Sequence, residues 1–394
     1  HAPGLRGAAA AAYAAAGIAT DHECFTLAEA RDKLRAGMKI LVREGSAARN
    51  YAALAPLLKT HPSQCMFCCD DLHPDLLVRG HIDAHVRRAL ALGVDRFDAL
   101  ACASVNAVRH YGLPVGLLRE GDPADLIVVD GWSNFRVRRT YLAGRLVAAN
   151  GRSRLSRRRA RIVNQFRARP RIAADFGVRW SDSIPPSRSQ RVGVGSPPSL
   201  RRPSNALLLR INVIEALNGQ LVTRRRRLRA KIVAGEIVAD PARDILKIAV
   251  VNRYRVAAPV AVGFIRGFGL RTGALASSVA HDSHNIVAVG VDDASLAAAV
   301  NLVIKHRGGI GAVGRGTRAV LPLSIAGLMS RADGYAVARR YAGLDALAKK
   351  LGSRLDAPFM TLAFMALLVI PDLKLSDRGL FSAARWAFQP LIEK

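Results

Sequence analysis

The stretch MKILVREGSAARN, Met38 to Asn50, sets the mostly apolar run MKILV directly before Arg43-Glu44-Gly45-Ser46. An apolar run without alternation is what a strand buried on both faces requires, and such strands belong to parallel sheets. The same pairing of apolar run and polar end recurs on either side. GIATD (Gly17 to Asp21) runs into Asp21-His22-Glu23, and CMFCC (Cys65 to Cys69) runs into Asp70-Asp71-Leu72-His73-Pro74. Between the first two, Thr26-Leu-Ala-Glu29 is a capping box that opens a helix with Leu27, Ala30 and Leu34 on one face, and Gly37 closes it. Asn50 to Lys59 reads as a second helix interrupted by Pro56, with two more over Asp75 to Gly93 and Phe97 to His110. Repeated βα units of about 25 residues predict a parallel sheet.

In a (β/α) barrel every βα loop converges on one mouth, so the strand ends carry the chemistry. Any one of the three polar ends is ordinary loop chemistry, but three successive strands ending in histidine or acid are hard to assign to packing. His22 and Asp70 on one rim would supply a nitrogen and an oxygen donor, a set that suits Zn, Mn or Fe(II). A metal of that kind lowers the pKa of bound water, and a carboxylate alongside can take and return the proton. That is hydrolytic chemistry. His1 is a further ligand candidate at the first position of the sequence.

At 394 residues the chain exceeds a usual single core, so two or more domains are expected. Half of its residues are hydrophobic and 6% are aromatic, the composition of an α/β enzyme. No apolar run reaches the roughly 18 residues needed to cross a bilayer, and MALLVI (Met365 to Ile370) ends at Pro371. The HAPGLRGAAAAAYAAAG opening has no basic start before its alanines and does not read as a signal peptide. A cytoplasmic location and no membrane partner are therefore expected. The net charge of +29 invites a polyanion partner. The arginines crowd into RSRLSRRRARI (Arg152 to Ile162) and TRRRRLRAK (Thr223 to Lys231), which compositional bias or a solvated linker explains at least as well. Nucleic acid is the disfavoured reading. Cys24, Cys65, Cys68, Cys69 and Cys102 contain one C-x-x-C but no second pair to complete a zinc site, and read as reduced buried thiols.

Past Gly116 the pattern changes to short strands between glycine turns, a small β module over 116–150. Residues 151–204, rich in Arg, Ser and Pro, read as a linker or loosely ordered insertion. A C-terminal α/β domain is expected over 205–394, with strands ILKIAVV and IVAVGV and helices at Asp293 to His306 and Gly343 to Leu351. VAHDSHNIVAVG, Val279 to Gly290, puts His281, Asp282 and His284 before one of those strands, as ligand or substrate contacts or as a self-bonded turn that docks two domains.

The succession HAPGL, DHE, REGSAARN, CDDLHP, GHIDAHVRRAL and GLLREGDPADLIVVD, followed by GFGLRTGALASSVAHDSHNIVAVG and LPLSIAGLMS, resembles bacterial adenine deaminase of the amidohydrolase superfamily. The resemblance covers nearly the whole chain except the Arg/Ser/Pro segment. It implies a (β/α)8 metal-dependent hydrolase barrel, here present in part over 1–115, and a dinuclear divalent centre of Mn(2+) or Fe(2+), with Zn(2+) as the other option. It implies hydrolytic deamination of adenine to hypoxanthine and ammonia, a purine salvage reaction, in a chain that could form a homo-oligomer. Position by position, His1 and His22 match histidine ligands after the family's fifth and sixth strands, and Asp70 matches the aspartate of strand eight, which binds metal and shuttles the proton. Asp71, Arg43, Glu44 and Ser46 match positions around the same mouth, Glu44 and Asp71 as further catalytic candidates. The family's H-x-H pair has no counterpart among these 394 residues. The chain is therefore expected to be the C-terminal part of such an enzyme, inactive alone and poorly folded over its first hundred or so residues. Two other readings stay open: an amidohydrolase of another cyclic amide or amine, and a basic nucleic-acid-binding protein.

Overall fold

The computed structural model describes residues 1–156, 158, 160–180 and 209–393. The chain forms two compact units, His1–Arg159 and Ala160–Lys394.

The three apolar runs of the first unit become strands β1 (Thr20–Asp21), β2 (Lys39–Arg43) and β3 (Cys65–Cys68), paired in parallel in that order. Thr20 lies opposite Lys39, and Ile40 to Arg43 lie opposite Cys65 to Cys68, so all three chains end at one edge and deliver the polar clusters side by side. Helix α1 (Gly7–Ala15) precedes β1, and α2 (Leu27–Arg35) joins β1 to β2. Thr26 caps α2 by accepting from the Glu29 N–H, and Gly37 follows its end at φ +86°, as its sequence predicts. The expected helix from Asn50 is split by Pro56 into Tyr51–Leu54 and Leu57–Thr60. That from Asp75 breaks near Gly80 into Pro74–Leu77 and helix α3 (Ile82–Ala91). Ile40, Val42, Leu54, Leu57, Phe67 and Val86 are buried together with Cys24, Cys65 and Cys102. All five cysteines are free; burial pushes the Cys65, Cys68 and Cys102 thiols up to about 12, so they are protonated at neutral pH. The β module is a four-stranded antiparallel sheet, β4 (Leu126–Val129), β5 (Val137–Leu142), β6 (Arg145–Ala149) and β7 (Arg152–Ser153).

The segment expected as a linker divides. Arg152–Ser153 belongs to the β module, whereas 160–180 packs into the second unit: Phe166 and Phe176 enter its core, and the Arg167 N–H donates to the Arg253 carbonyl. Two isolated phenylalanines among arginines give no periodic signal, which is why the sequence reads as loose there. Residues 181–204 lie outside the described residues.

In the second unit, β8 (Arg210–Ala216), β9 (Thr223–Arg229), β12 (Leu246–Val251), β13 (Val260–Arg266), β14 (Ala274–Ser277), β15 (Ile286–Gly290), β16 (Gly309–Gly314), β17 (Thr317–Pro322) and β21 (Ile392–Glu393) form one sheet, antiparallel except where β13 meets β8. The hairpin β10 (Lys231–Val233) with β11 (Glu236–Val238) is inserted between β9 and β12, and a three-stranded sheet β18 (Leu373–Ser376), β19 (Gly379–Ser382) and β20 (Ala387–Phe388) between β17 and β21. The ILKIAVV and IVAVG runs are β12 and β15, buried along their whole length at the middle of the sheet. Helix α4 (Asp293–Lys305) lays Leu296, Val300 and Val303 on Ala249, Ala276 and Ala288. Helix α5 (Gly334–Lys350) starts nine residues before the apolar run that marks it in the sequence, because Asp333 caps it through the N–H groups of Tyr335 and Ala336. The arginine run TRRRRLR is β9, which pairs only with β8 among the described residues. Arg226 reaches Glu215 at 2.8 Å and Arg225 reaches Asn212 at 2.8 Å. A row of charges along an edge strand keeps that edge from pairing with another chain.

Candidate metal centre at the strand ends

At the ends of β1, β2 and β3 the chain brings His22, Arg43 and Asp70 together. His22 Nε2 lies 3.8 Å from Asp70 Oδ2, and the Arg43 guanidinium, itself buried, makes an ion pair with the same oxygen. Asp70 sits at φ +52°, a left-handed conformation that the residues of a β-strand avoid and that turns the chain sharply after β3. His1 joins from the other side: its ring is edge-on to that of His22 with centroids 4.8 Å apart, and its Nδ1 is 3.3 Å from Glu23 Oε2. Ligand atoms of His1, His22 and Glu23 all lie within 4.8 Å of one another. Burial, with the Arg43 charge, lowers the His22 pKa, so its imidazole is neutral with a lone pair to offer at neutral pH. Burial holds the Glu23 carboxyl above the usual range. Two imidazoles and two carboxylates converging on one rim suit a divalent first-row cation.

Behind this rim lies a buried cation. Lys33 of α2, fully enclosed, donates to Asp21 Oδ2 at 2.6 Å, Glu29 Oε1 at 2.9 Å and the Ala2 carbonyl at 2.6 Å. Glu29 also accepts from the Gly4 N–H at 2.6 Å and the Phe25 N–H at 3.0 Å. The glutamate of the capping box is thus spent on tying residues 2–4 and the start of α2 to the end of β1, which fixes the backbone that carries His1, His22 and Glu23. Asp21, Cys24 and Glu29 also cluster closely, but the Lys33 ammonium fills that space.

Asn50 clamps the neighbouring strand end. Its Oδ1 accepts from the Arg43 N–H at 2.7 Å, and its Nδ2 donates to the His22 carbonyl at 3.1 Å. Ser46 joins the loops after β2 and β3: its N–H donates to the Asp71 carbonyl at 2.8 Å, and its Oγ accepts from the His73 N–H at 2.8 Å. Gly45 is required there, since a Cβ would come within 2.9 Å of the Cys69 carbonyl oxygen.

Of the residues singled out in the sequence, His22, Asp70 and Arg43 meet at one point, and His1 packs against His22. Ser46 and the Asp71 carbonyl serve the loop scaffold. Glu44, expected among the catalytic groups and one residue past the end of β2, is paired with Arg88 at 3.0 Å and Arg49 at 3.8 Å. His281, Asp282 and His284 lie in the second unit, in the turn before β15; His281 stacks on Phe364 at 4.5 Å. Sequence reading passed over Glu23, Lys33 and Asn50. Glu23 was signalled by its place in DHE; the other two act through partners distant in sequence.

A parallel sheet with histidines and carboxylates at its strand ends is the architecture of the amidohydrolases, and residues 6–147 match the model of the amidohydrolase family. Residues 220–386 match the adenine deaminase C-terminal domain. The chain is 54% identical over 389 residues to an adenine deaminase of Salinibacter ruber, covering 98% of this chain and 66% of that protein. It is 49% identical over 389 residues to one of Sulfurovum sp., with 98% and 66% covered. To one of Methanosarcina mazei it is 47% identical over 393 residues, with 99% and 68% covered. The chain belongs to the adenine deaminase family, and it spans about two thirds of the length of these curated relatives.

Proposed function

We propose that the protein containing this chain deaminates adenine by hydrolysis, giving hypoxanthine and ammonia. The observation that carries this reading is the meeting of His22 and Asp70, 3.8 Å apart, at one edge of a parallel sheet. Names of the relatives supply the substrate. His1, His22, Glu23 and Asp70 would hold a divalent cation, with Mn(2+) or Fe(2+) favoured by the mixed imidazole and carboxylate set. When bound, such a cation lowers the pKa of a water toward neutrality. Asp70 accepts a proton from the attacking water while the water oxygen bonds to the ring carbon that carries the amine. It then returns the proton to the exocyclic nitrogen, the C–N bond breaks and ammonia leaves. Arg43 orients the Asp70 carboxylate for both transfers, and Asn50 keeps the His22 and Arg43 backbones in register. Glu44 has no part in this sequence, its charge being engaged by Arg88 and Arg49.

We take residues 1–115 as the later part of a (β/α)8 barrel. A cytoplasmic location fits five free thiols in a family acting on a free base. The test is adenine-dependent ammonia release by the complete reading frame with Mn(2+) added. Asp70→Asn is expected to lower turnover by several orders of magnitude with adenine binding retained. Unchanged turnover in Asp70→Asn would overturn the assignment, and deamination of another cyclic amine in preference to adenine would redirect it.

A further inference from the structure

The second unit contains a buried guanidinium that nothing in the proposed reaction uses. Arg253, just past β12, is 4% exposed, and its guanidinium carbon lies 4.8 Å from the centre of the Tyr254 ring and 5.6 Å from that of Phe166. Its Nη2 donates to the Tyr254 hydroxyl at 3.0 Å, and that hydroxyl donates onward to the Ser283 carbonyl at 2.9 Å. Among the described residues its Nε and Nη1 have no acceptor, and Arg253 makes no ion pair. A buried charge left in that state is costly. The fold nevertheless reserves the place: a Cβ at Gly327, in the LPLSIAGLMS loop, would stand 2.1 Å from Nη1.

The surroundings add donors. In the HDSHN turn the Ala280 N–H donates to His284 Nδ1 at 3.3 Å, which leaves the proton of the neutral ring on Nε2. Burial, followed by the charges of His281 and Arg253, lowers the His284 pKa, so this ring is neutral at neutral pH. The competing anion is Asp282 on the same turn; it is exposed and forms no ion pair with Arg253.

We propose that Arg253, with Tyr254 and the HDSHN turn reached by the Tyr254 hydroxyl and the Arg253 N–H, forms a binding site in the second unit for a small oxyanion, a phosphate or carboxylate group. An anion there supplies the acceptors that the guanidinium lacks. The proposal rests on residues of the second unit alone and does not depend on the deaminase reading.

Thermal unfolding and calorimetric titration of the chain with inorganic phosphate and with acetate, in metal-free buffer at constant ionic strength, test this. Arg340→Gln, an exposed helix arginine, controls for loose binding to a chain of net charge +29. Saturable stabilisation is expected in the parent and in R340Q. Affinity should fall about tenfold or more in Arg253→Lys, and also in His284→Leu, which leaves the core intact. A phosphate response without an acetate response assigns a tetrahedral ligand, and the reverse a carboxylate. No response beyond that to chloride, or equal responses in the parent, R253K and H284L, would overturn the proposal. So would a crystal grown with phosphate in which water alone meets Nε and Nη1.

Discussion

Replacing Lys33 by methionine removes the cation around which the start of the first unit is assembled while keeping its aliphatic bulk. Asp21 and Glu29, 1% and 3% exposed, would be left as buried carboxylates without their counter-charge. Losing one partner of a buried ionic group costs about 3–5 kcal/mol. The lower part of that range applies here, about 3–4 kcal/mol, because Asp21 keeps the Glu23 N–H and Glu29 keeps the Gly4 and Phe25 N–H groups. The pH dependence follows from the directions of the shifts. Burial raises the Asp21 carboxyl, but the hydrogen bond and charge of Lys33 outweigh it and hold it below 3.8. Burial likewise lowers the Lys33 amine, yet Asp21 and Glu29 bring it above 10.5. The parent's share of stability from Asp21 is present above its unfolded pKa and lost as pH falls through the lower folded value; that from Lys33 is lost only above its raised pKa. In Lys33→Met the Asp21 carboxyl, left with burial unopposed by Lys33, rises instead and relieves its burial by taking up a proton. The deficit should therefore be larger near pH 8 than near pH 5. Hydrogen exchange at the amides of Ile40 and Val42, read peptide by peptide, measures opening of this unit separately from the second. A loss under about 1 kcal/mol, or a deficit that grows on acidification, would refute the view that Lys33 organises the rim.

Gly45→Ala should destabilise the first unit by about 1–3 kcal/mol through contact with the Cys69 carbonyl, read by the same exchange. Asn50→Ala should leave the fold intact and weaken divalent metal binding about 10- to 100-fold, as the loss of a group orienting the ligands does; calorimetry reads it. Lys374 is fully buried, donates among the described residues to the Leu221 and Phe364 carbonyls, and is brought down to about 7 by burial. The unfolded chain then binds this proton more tightly, so stability of the second unit should rise as pH climbs from about 7 to about 10.5. Lys374→Met should flatten that rise in urea unfolding.

What the sequence revealed and what it hid divide along contact distance. Strands β2 and β3, the Pro56 break, the Gly37 stop and the helix of Asp293 are local signals, and each appears within a few residues of its expected place. GIATD yields only Thr20–Asp21 as a strand, since β1 pairs along just two positions with Lys39 and Ile40. His22 and Asp70 were readable as strand-end residues because a parallel sheet puts successive ends on one edge. Lys33 was not: in a helical window it is one more surface lysine, and only its Ala2 and Asp21 partners reveal it as buried. Glu44 illustrates the converse, a conspicuous acid next to Arg43 whose charge is engaged by Arg88 and Arg49.

The central claim is that His22 and Asp70 share one divalent cation at the strand ends, and equilibrium Mn(2+) titration followed by electron paramagnetic resonance tests it most directly. Saturable binding by the chain, weakened by more than about 100-fold in both His22→Ala and Asp70→Asn, is the predicted result. Equal Mn(2+) affinity in the parent and both variants would contradict it.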